Sequence, residues 1–189
     1  MGIKVCKFGG TSLADSAAIE RVADIVKADG ERRYIVVSAP GKRDKKDEKV
    51  TDLLYRCADE ARETGDCPTF SLIEKRFKEI VEGLKVSVDI GSELESIRQR
   101  IISSKGDRDY AASRGEYLNA LIVAAKLGYE FVDAADIVKF DRKGTFDGEY
   151  TNDLASKKLK SIERAVIPGF YGSTPDGIKT FSRGGSDIT

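Results

Sequence analysis

Short apolar runs alternate along this chain with stretches whose apolar residues recur every three or four positions, the mark of strands alternating with amphipathic helices. Residues 3–8 (IKVCKF) predict a buried strand. A glycine-rich turn follows, and then Ile19, Val22, Ala23 and Val26 stand at the i, i+3, i+4, i+7 spacing of a helix that Asp15 or Ser16 can cap. Residues 34–39 predict a second buried strand, rich in β-branched side chains and ended by Pro40-Gly41. The opening is therefore a β-α-β unit.

A mixed-charge run, residues 42–49 (KRDKKDEK), reads as a solvated loop. Beyond it, residues 50–64 predict a helix with Leu53, Leu54, Cys57 and Ala61 on one face. Phe70, Ile73, Phe77, Ile80, Val81 and Leu84 mark another helix, and Leu94, Ile97 and Ile101 a third. The last two form a helical excursion over about residues 68–105, which reads as a partner or lid surface rather than as chemistry.

Residues 113–128 (SRGEYLNALIVAAKLG) predict a helix that buries Leu118, Leu121, Ile122 and Ala125, stops at Gly128 and holds Glu116 in its first turn. Strands are expected at residues 129–134 and 137–140, then a small hairpin or irregular loop around Lys143-Gly144 and Asp147-Gly148. A last strand at residues 165–173 leads through TPDG to FSRGGSDIT. Strands separated by helices predict an α/β fold, a three-layer α/β/α sandwich around a mostly parallel sheet. Ser186 or Asp187 is a natural helix cap with no helical turn before Thr189, so the polypeptide is expected to continue.

Composition narrows the chemistry more than the fold. The 189 residues suffice for one domain with a sizeable core, and a 40% hydrophobic share with 18 glycines argues against disorder. The 32 basic and 32 acidic residues cancel, which favours neither nucleic acid nor an anionic membrane. Lys4 and Lys7 interrupt the N-terminal apolar stretch, so it is no signal peptide, and no run is long enough to span a bilayer. Cys6, Cys57 and Cys67 form no C-x-x-C pair; neither a disulfide framework nor a zinc site is indicated, and a reducing cytoplasm fits. The absence of histidine excludes Ser-His-Asp and Cys-His nucleophiles and histidine metal sites. Any catalysis must use lysine, arginine, carboxylates, hydroxyls, backbone amides or a metal carried by substrate.

Glycines mark the ends of the predicted strands. In an α/β protein ligands collect at those ends, where helix N-termini also present unpaired N–H groups. Gly9 and Gly10 allow a phosphate close to the backbone, Thr11 and Ser12 add hydroxyls and Lys7 adds charge; the bland alternative is a tight turn beside a solvated lysine. SAPG (38–41), PGFYG (168–172) and SRGGSD (182–187) also follow apolar runs, so a parallel sheet would carry four glycine turns on one edge. Neither a P-loop nor a G-x-G-x-x-G fingerprint occurs. Glu116 either satisfies a helix dipole or binds an ammonium group.

Together KFGGTS (7–12), VVSA (36–39), SRGE (113–116) and FSRGGSD (181–187) resemble the aspartokinases of the amino-acid kinase family. The resemblance implies an amino-acid kinase fold and transfer of a phosphoryl group from ATP, with nucleotide-bound Mg2+, to the β-carboxylate of L-aspartate. That is the first step toward lysine, threonine, methionine and isoleucine. It implies that Lys7 neutralises the transferring phosphoryl group, that Asp187 holds Lys7, and that Gly9, Gly10, Gly184 and Gly185 bind phosphate. Arg183 would pair with the α-carboxylate and Glu116 with the α-ammonium, while Thr11, Ser38, Thr51 and Ser186 supply hydroxyl contacts. Residues 1–189 would be the N-terminal, amino-acid-binding part of the kinase domain, of little activity alone. The nucleotide pocket, a second phosphate-facing lysine and regulatory ACT domains would lie beyond, and the complete chain would be a homo-oligomer. A noncatalytic aspartate-binding or assembly module and another amino-acid kinase are the competing readings.

Overall fold

The computed structural model describes residues 2–182. Strand β1 (Lys4–Phe8) runs into a single 3-10 turn (Gly10–Leu13) and then helix α1 (Ser16–Lys27), whose first turn is capped by the Asp15 carboxylate accepting from the Ala18 N–H at 2.8 Å. Strand β2 (Arg32–Val37) lies parallel to β1, with Val5 opposite Tyr34 and Phe8 opposite Val37. Helices α2 (Val50–Thr64), α3 (Phe70–Leu84), α4 (Ile90–Ser103) and α5 (Arg108–Leu127) follow. Strand β3 is only Glu130–Phe131, and β4 (Ala165–Pro168) lies between it and β2, giving a parallel sheet of order β1-β2-β4-β3.

The inner strands explain their own sequences. Ile35, Val36 and Val37 in β2 and Ala165, Val166 and Ile167 in β4 are all buried, as parallel strands covered on both faces must be. β1 departs from the expectation of a buried strand: it is an edge strand among the described residues, and Val5 is 65% exposed. An apolar run shows that a strand can be buried, and its place in the sheet decides whether it is.

The helical excursion is part of the core. Phe70, Ile73, Phe77, Ile80 and Leu84 of α3, with Leu94, Ile97 and Ile101 of α4, share one buried cluster with Ile35, Val37 and the apolar faces of α1, α2 and α5. A separate lid would leave such residues half-covered, so the lid expectation is corrected.

Helix α5 begins at Arg108, capped by Asp107, and ends at Gly128, whose φ of 72° is the left-handed stop that glycine supplies. Glu116 therefore lies in the third turn of α5 and not the first. The expected strand at residues 129–134 shrinks to two residues, because the Asp133 side chain caps a short helix, α6 (Ala134–Ile137). Residues 137–140 form no strand; Lys139 and Phe140 make isolated bridges to Ser173 and Phe146. Helix α7 (Gly148–Leu159), unforeseen from the sequence, buries no residue fully and so carries no apolar stripe to betray it.

The last expected strand is broken in two. β4 ends at Pro168, Phe170 turns the chain at a φ of 75°, and β5 (Tyr171–Thr174) pairs antiparallel with β6 (Gly177–Thr180) as a separate hairpin. Phe140, Phe146 and Phe181 meet in tilted and edge-on contacts, ring centroids 4.8 to 6.0 Å apart, in a second core that also holds Tyr171 of that hairpin.

If α3 is a wall of the core, Phe77→Ala removes a fully buried ring and is expected to cost about 3–5 kcal/mol in urea unfolding. A loss below about 1 kcal/mol would return α3 to the role of a peripheral lid.

Candidate functional site

The ends of β1 and β2 stay paired after the strands stop. Ser38 N–H donates to the Phe8 carbonyl at 3.2 Å, and Gly41 N–H donates to the Gly10 carbonyl at 2.8 Å. At the second contact the two backbones touch. A Cβ on Gly10 would lie 2.8 Å from the Ala39 carbonyl oxygen, and one on Gly41 2.7 Å from the Gly10 carbonyl carbon. The glycine at position 10 therefore serves loop against loop. A Cβ on Gly9 would meet nothing within 4 Å, so that backbone faces open space.

A cleft of about 310 Å³ opens beside this junction. Gly10 and Thr11 line it from the β1 side, residues 38–42 from the β2 side, Lys49 and Thr51 from the start of α2, and Glu116 from α5. Four of the expected residues, Thr11, Ser38, Thr51 and Glu116, thus converge with Gly10. Lys7 is exposed near the end of β1 and is not among the residues lining the cleft. Arg183, Gly184, Gly185, Ser186 and Asp187 lie outside the described residues. Gly172, in the PGFYG turn, is packed against Val138, whose carbonyl oxygen would be 2.3 Å from an added Cβ, so its role is in the second core.

Helix α5 reaches the cleft because residue 115 has no side chain. A Cβ there would be 2.7 Å from the Ala39 Cβ and 3.3 Å from Leu54 Cδ1. This close crossing places Glu116 against the β2 loop, 5% exposed, where its carboxylate accepts from the Ala39 backbone N–H while Oε2 has no hydrogen-bond partner. Desolvation raises the carboxyl from 4.5 to about 8, against the opposing pull of that N–H and of the Arg114 charge. Arg114 is itself buried, ringed by Tyr110, Tyr117 and Tyr171 at 4.5 to 5.1 Å from their centroids. One turn beyond Glu116, Asn119 donates its amide to the Ser38 carbonyl at 2.7 Å and fixes the β2 end from below.

Four contributors escaped the sequence reading. Lys42 and Lys49 were absorbed in the charged run. Arg76 is buried on α3 between Ile73 and Ile80, and a charge inside an apolar stripe was the signal that could have revealed it. Asp109, at the start of α5, accepts from Lys179 Nζ at 2.8 Å, from the Thr180 N–H at 3.2 Å and from the Thr180 hydroxyl, anchoring β6 just before residue 183. Among the described residues no carboxylate or thiol cluster could hold a metal, and no helix is long and apolar enough to cross a membrane.

A model of the amino acid kinase family matches residues 2–189. The chain belongs to the amino acid kinase family. Within it, aspartokinase 3 of Bacillus subtilis (strain 168) is 35% identical over 205 residues, covering 99% of this chain and 44% of its own length. The crystal structure of Clostridium acetobutylicum aspartate kinase matches with a TM-score of 0.94 at 47% identity, covering 100% of this chain and 44% of that one. Escherichia coli aspartokinase III in complex with aspartate and ADP matches at 0.79 and 27% identity, covering 99% and 45%. The chain spans less than half the length of these amino acid kinase relatives.

The raised Glu116 carboxyl sets a sign for stability. Between about pH 4.5 and 8 the folded chain keeps a proton that the unfolded chain releases. Glu116's contribution is thus full below pH 4.5 and lost as the pH rises through 8. Glu116→Gln should match the parent near pH 4 and exceed it by a few kcal/mol at pH 9 in urea unfolding. Equal stability at pH 9 would show that the cleft solvates the carboxylate.

Proposed function

We propose that this chain is the aspartate-binding and phosphoryl-transfer part of a cytoplasmic aspartokinase, which moves the terminal phosphoryl group of ATP to the β-carboxylate of L-aspartate. The observation that carries the reading is Glu116: a buried carboxylate, one oxygen unpartnered, at the wall of a 310 Å³ cleft built by two glycine loops. A buried carboxylate without a countercharge is costly, and a substrate ammonium group is the partner that would offset the cost. The similarity to aspartokinases supports aspartate as the amino acid, and the three free thiols suit a reducing compartment.

In this reading Glu116 takes the α-ammonium, and the hydroxyls of Thr11, Ser38 and Thr51 hydrogen-bond the rest of the substrate. The open backbone at Gly9 and the turn that starts at Gly10 receive phosphate oxygens, and Lys7 neutralises their charge. Arg183 would hold the α-carboxylate as a planar fork, with Ser186 beside it; Gly184 and Gly185 would approach the phosphate and Asp187 would orient Lys7. Mg2+ would arrive with the nucleotide and supply charge neutralisation at its phosphates. The acceptor carboxylate is ionised at neutral pH and is its own nucleophile, so no general base is required. Residues 1–189 form the amino-acid half of the kinase domain, with nucleotide and regulatory portions supplied elsewhere in the polypeptide.

ATP-dependent hydroxamate formation by the complete gene product, with L-aspartate and L-glutamate in parallel, tests the reading. Hydroxamate from aspartate is the expected result, and none from either amino acid would overturn it. Because Glu116 must ionise to pair with the ammonium, the KM for aspartate should fall between pH 6.5 and about 8, and Glu116→Gln should raise KM at least about tenfold and abolish that slope.

A further inference from the structure

The mixed-charge run 42–49 is a folded device and not a loose loop. Arg76 leaves the apolar face of α3 with its side chain 5% exposed. Its Nη1 donates to the carbonyls of Ala14 at 3.3 Å and Gly41 at 3.1 Å, and its Nη2 donates to both carboxylate oxygens of Asp47 at 2.6 and 2.5 Å. Arg43 closes on the same carboxylate, through its backbone N–H at 2.9 Å and its Nε at 3.0 Å. These bonds from Arg43, with the Arg76 charge, hold the Asp47 carboxyl well below the usual carboxylate range. One buried guanidinium thereby ties together the turn after β1, the turn after β2 and the middle of the charged run.

The ends of that run are what it delivers. Lys42 and Lys49, flanking the pinned Asp47, both line the cleft, and neither ammonium group is in an ion pair among the described residues. Glu116, whose buried Oε2 has no hydrogen-bond partner, lines the same cleft. The cleft thus has a buried carboxylate and two cations at its exposed margin, the complement of a ligand that carries one ammonium and one or more oxyanions.

We propose that Lys42 and Lys49 are oxyanion-binding residues of this cleft, and that Arg76, through Asp47, is the positioning residue that sets them there. The proposal rests on the aspartokinase reading and adds residues to its site. The oxyanion is either a carboxylate of the amino acid or the terminal phosphate of the nucleotide, and two binding arms separate these sources.

The test uses the complete gene product and its Lys42→Met, Lys49→Met and double variants, titrated calorimetrically with L-aspartate alone and with MgATP alone. Lys46→Met, on the same run but lining a different cavity, is the charge control and should bind as the parent does. Each single change is expected to weaken binding about 3- to 10-fold, the double change more, with a shallower dependence on salt. Weaker aspartate binding assigns a carboxylate, weaker nucleotide binding alone assigns phosphate, and both outcomes support the proposal. Unchanged affinity in both arms overturns it, as does an equal loss in Lys46→Met. Arg76→Lys keeps the charge and loses the fork; it should raise the KM for aspartate by a similar factor with kcat within about twofold. If the parent forms hydroxamate and Glu116→Gln loses it while the lysine variants bind normally, only the lysine assignment falls. A parent that forms none removes the reading beneath it.

Discussion

The contact between the Gly10 and Gly41 backbones holds the rest of the site in place. Parallel strands normally diverge once their ladder ends, because each chain must turn away into its own helix. Here the ladder gains a rung past the end, Gly41 N–H to the Gly10 carbonyl, and the absence of two Cβ atoms makes it sterically open. Side chains on both would force the loops apart, and with them the Gly41 carbonyl that Arg76 grips. Gly115 extends the same logic to a third element by letting α5 meet Ala39 at its closest point. Three missing side chains on three elements thus bring hydroxyls, backbone amides and one carboxylate into a single small volume.

That compactness has an electrostatic cost, and the structure shows where it falls. Glu116 is desolvated by the same close packing that puts it at the cleft wall. The nearby positive charge is Arg114, whose guanidinium is occupied by tyrosine faces and by the Ser113 hydroxyl at 2.9 Å, and does not pair directly with the carboxylate. Burial therefore favours the protonated form of Glu116, whose carboxyl has no direct ion-pair partner among the described residues. Around Asp47 the opposite holds, since two guanidinium groups converge on one carboxylate and hold the charged run in a single shape.

Sequence reading found what local chemistry determines and missed what tertiary placement determines. The limits of α2 followed from its apolar face, and Asp15 and Gly128 announced themselves as cap and stop. Glu116 was singled out as a candidate and does line the cleft, yet the motif around it hid the two turns of α5 that precede it, because Ala111 and Ala112 give a weak periodic signal. β1 looked buried and is an edge strand among the described residues. α7 buries no residue fully, so little in its pattern marked it as a helix. Lys42 and Lys49 could not be told from their charged neighbours by composition; only the fold of the run, set by a buried arginine 27 residues beyond Lys49, brings them to the cleft. That distance in sequence is why the excursion looked irrelevant to the site.

Helix α5 carries Glu116 and Asp109 seven residues apart, a separation of about 10 Å along the axis at 1.5 Å per residue. The first touches the cleft, and the second grips Thr180, three residues before Arg183. The helix therefore works as a ruler with a mark at each site. Any tilt or slide of α5 against β2 moves the Glu116 wall of the cleft and the anchor of β6 together, in fixed proportion. The shape of the cleft is mechanically geared to the placement of the β5–β6 hairpin.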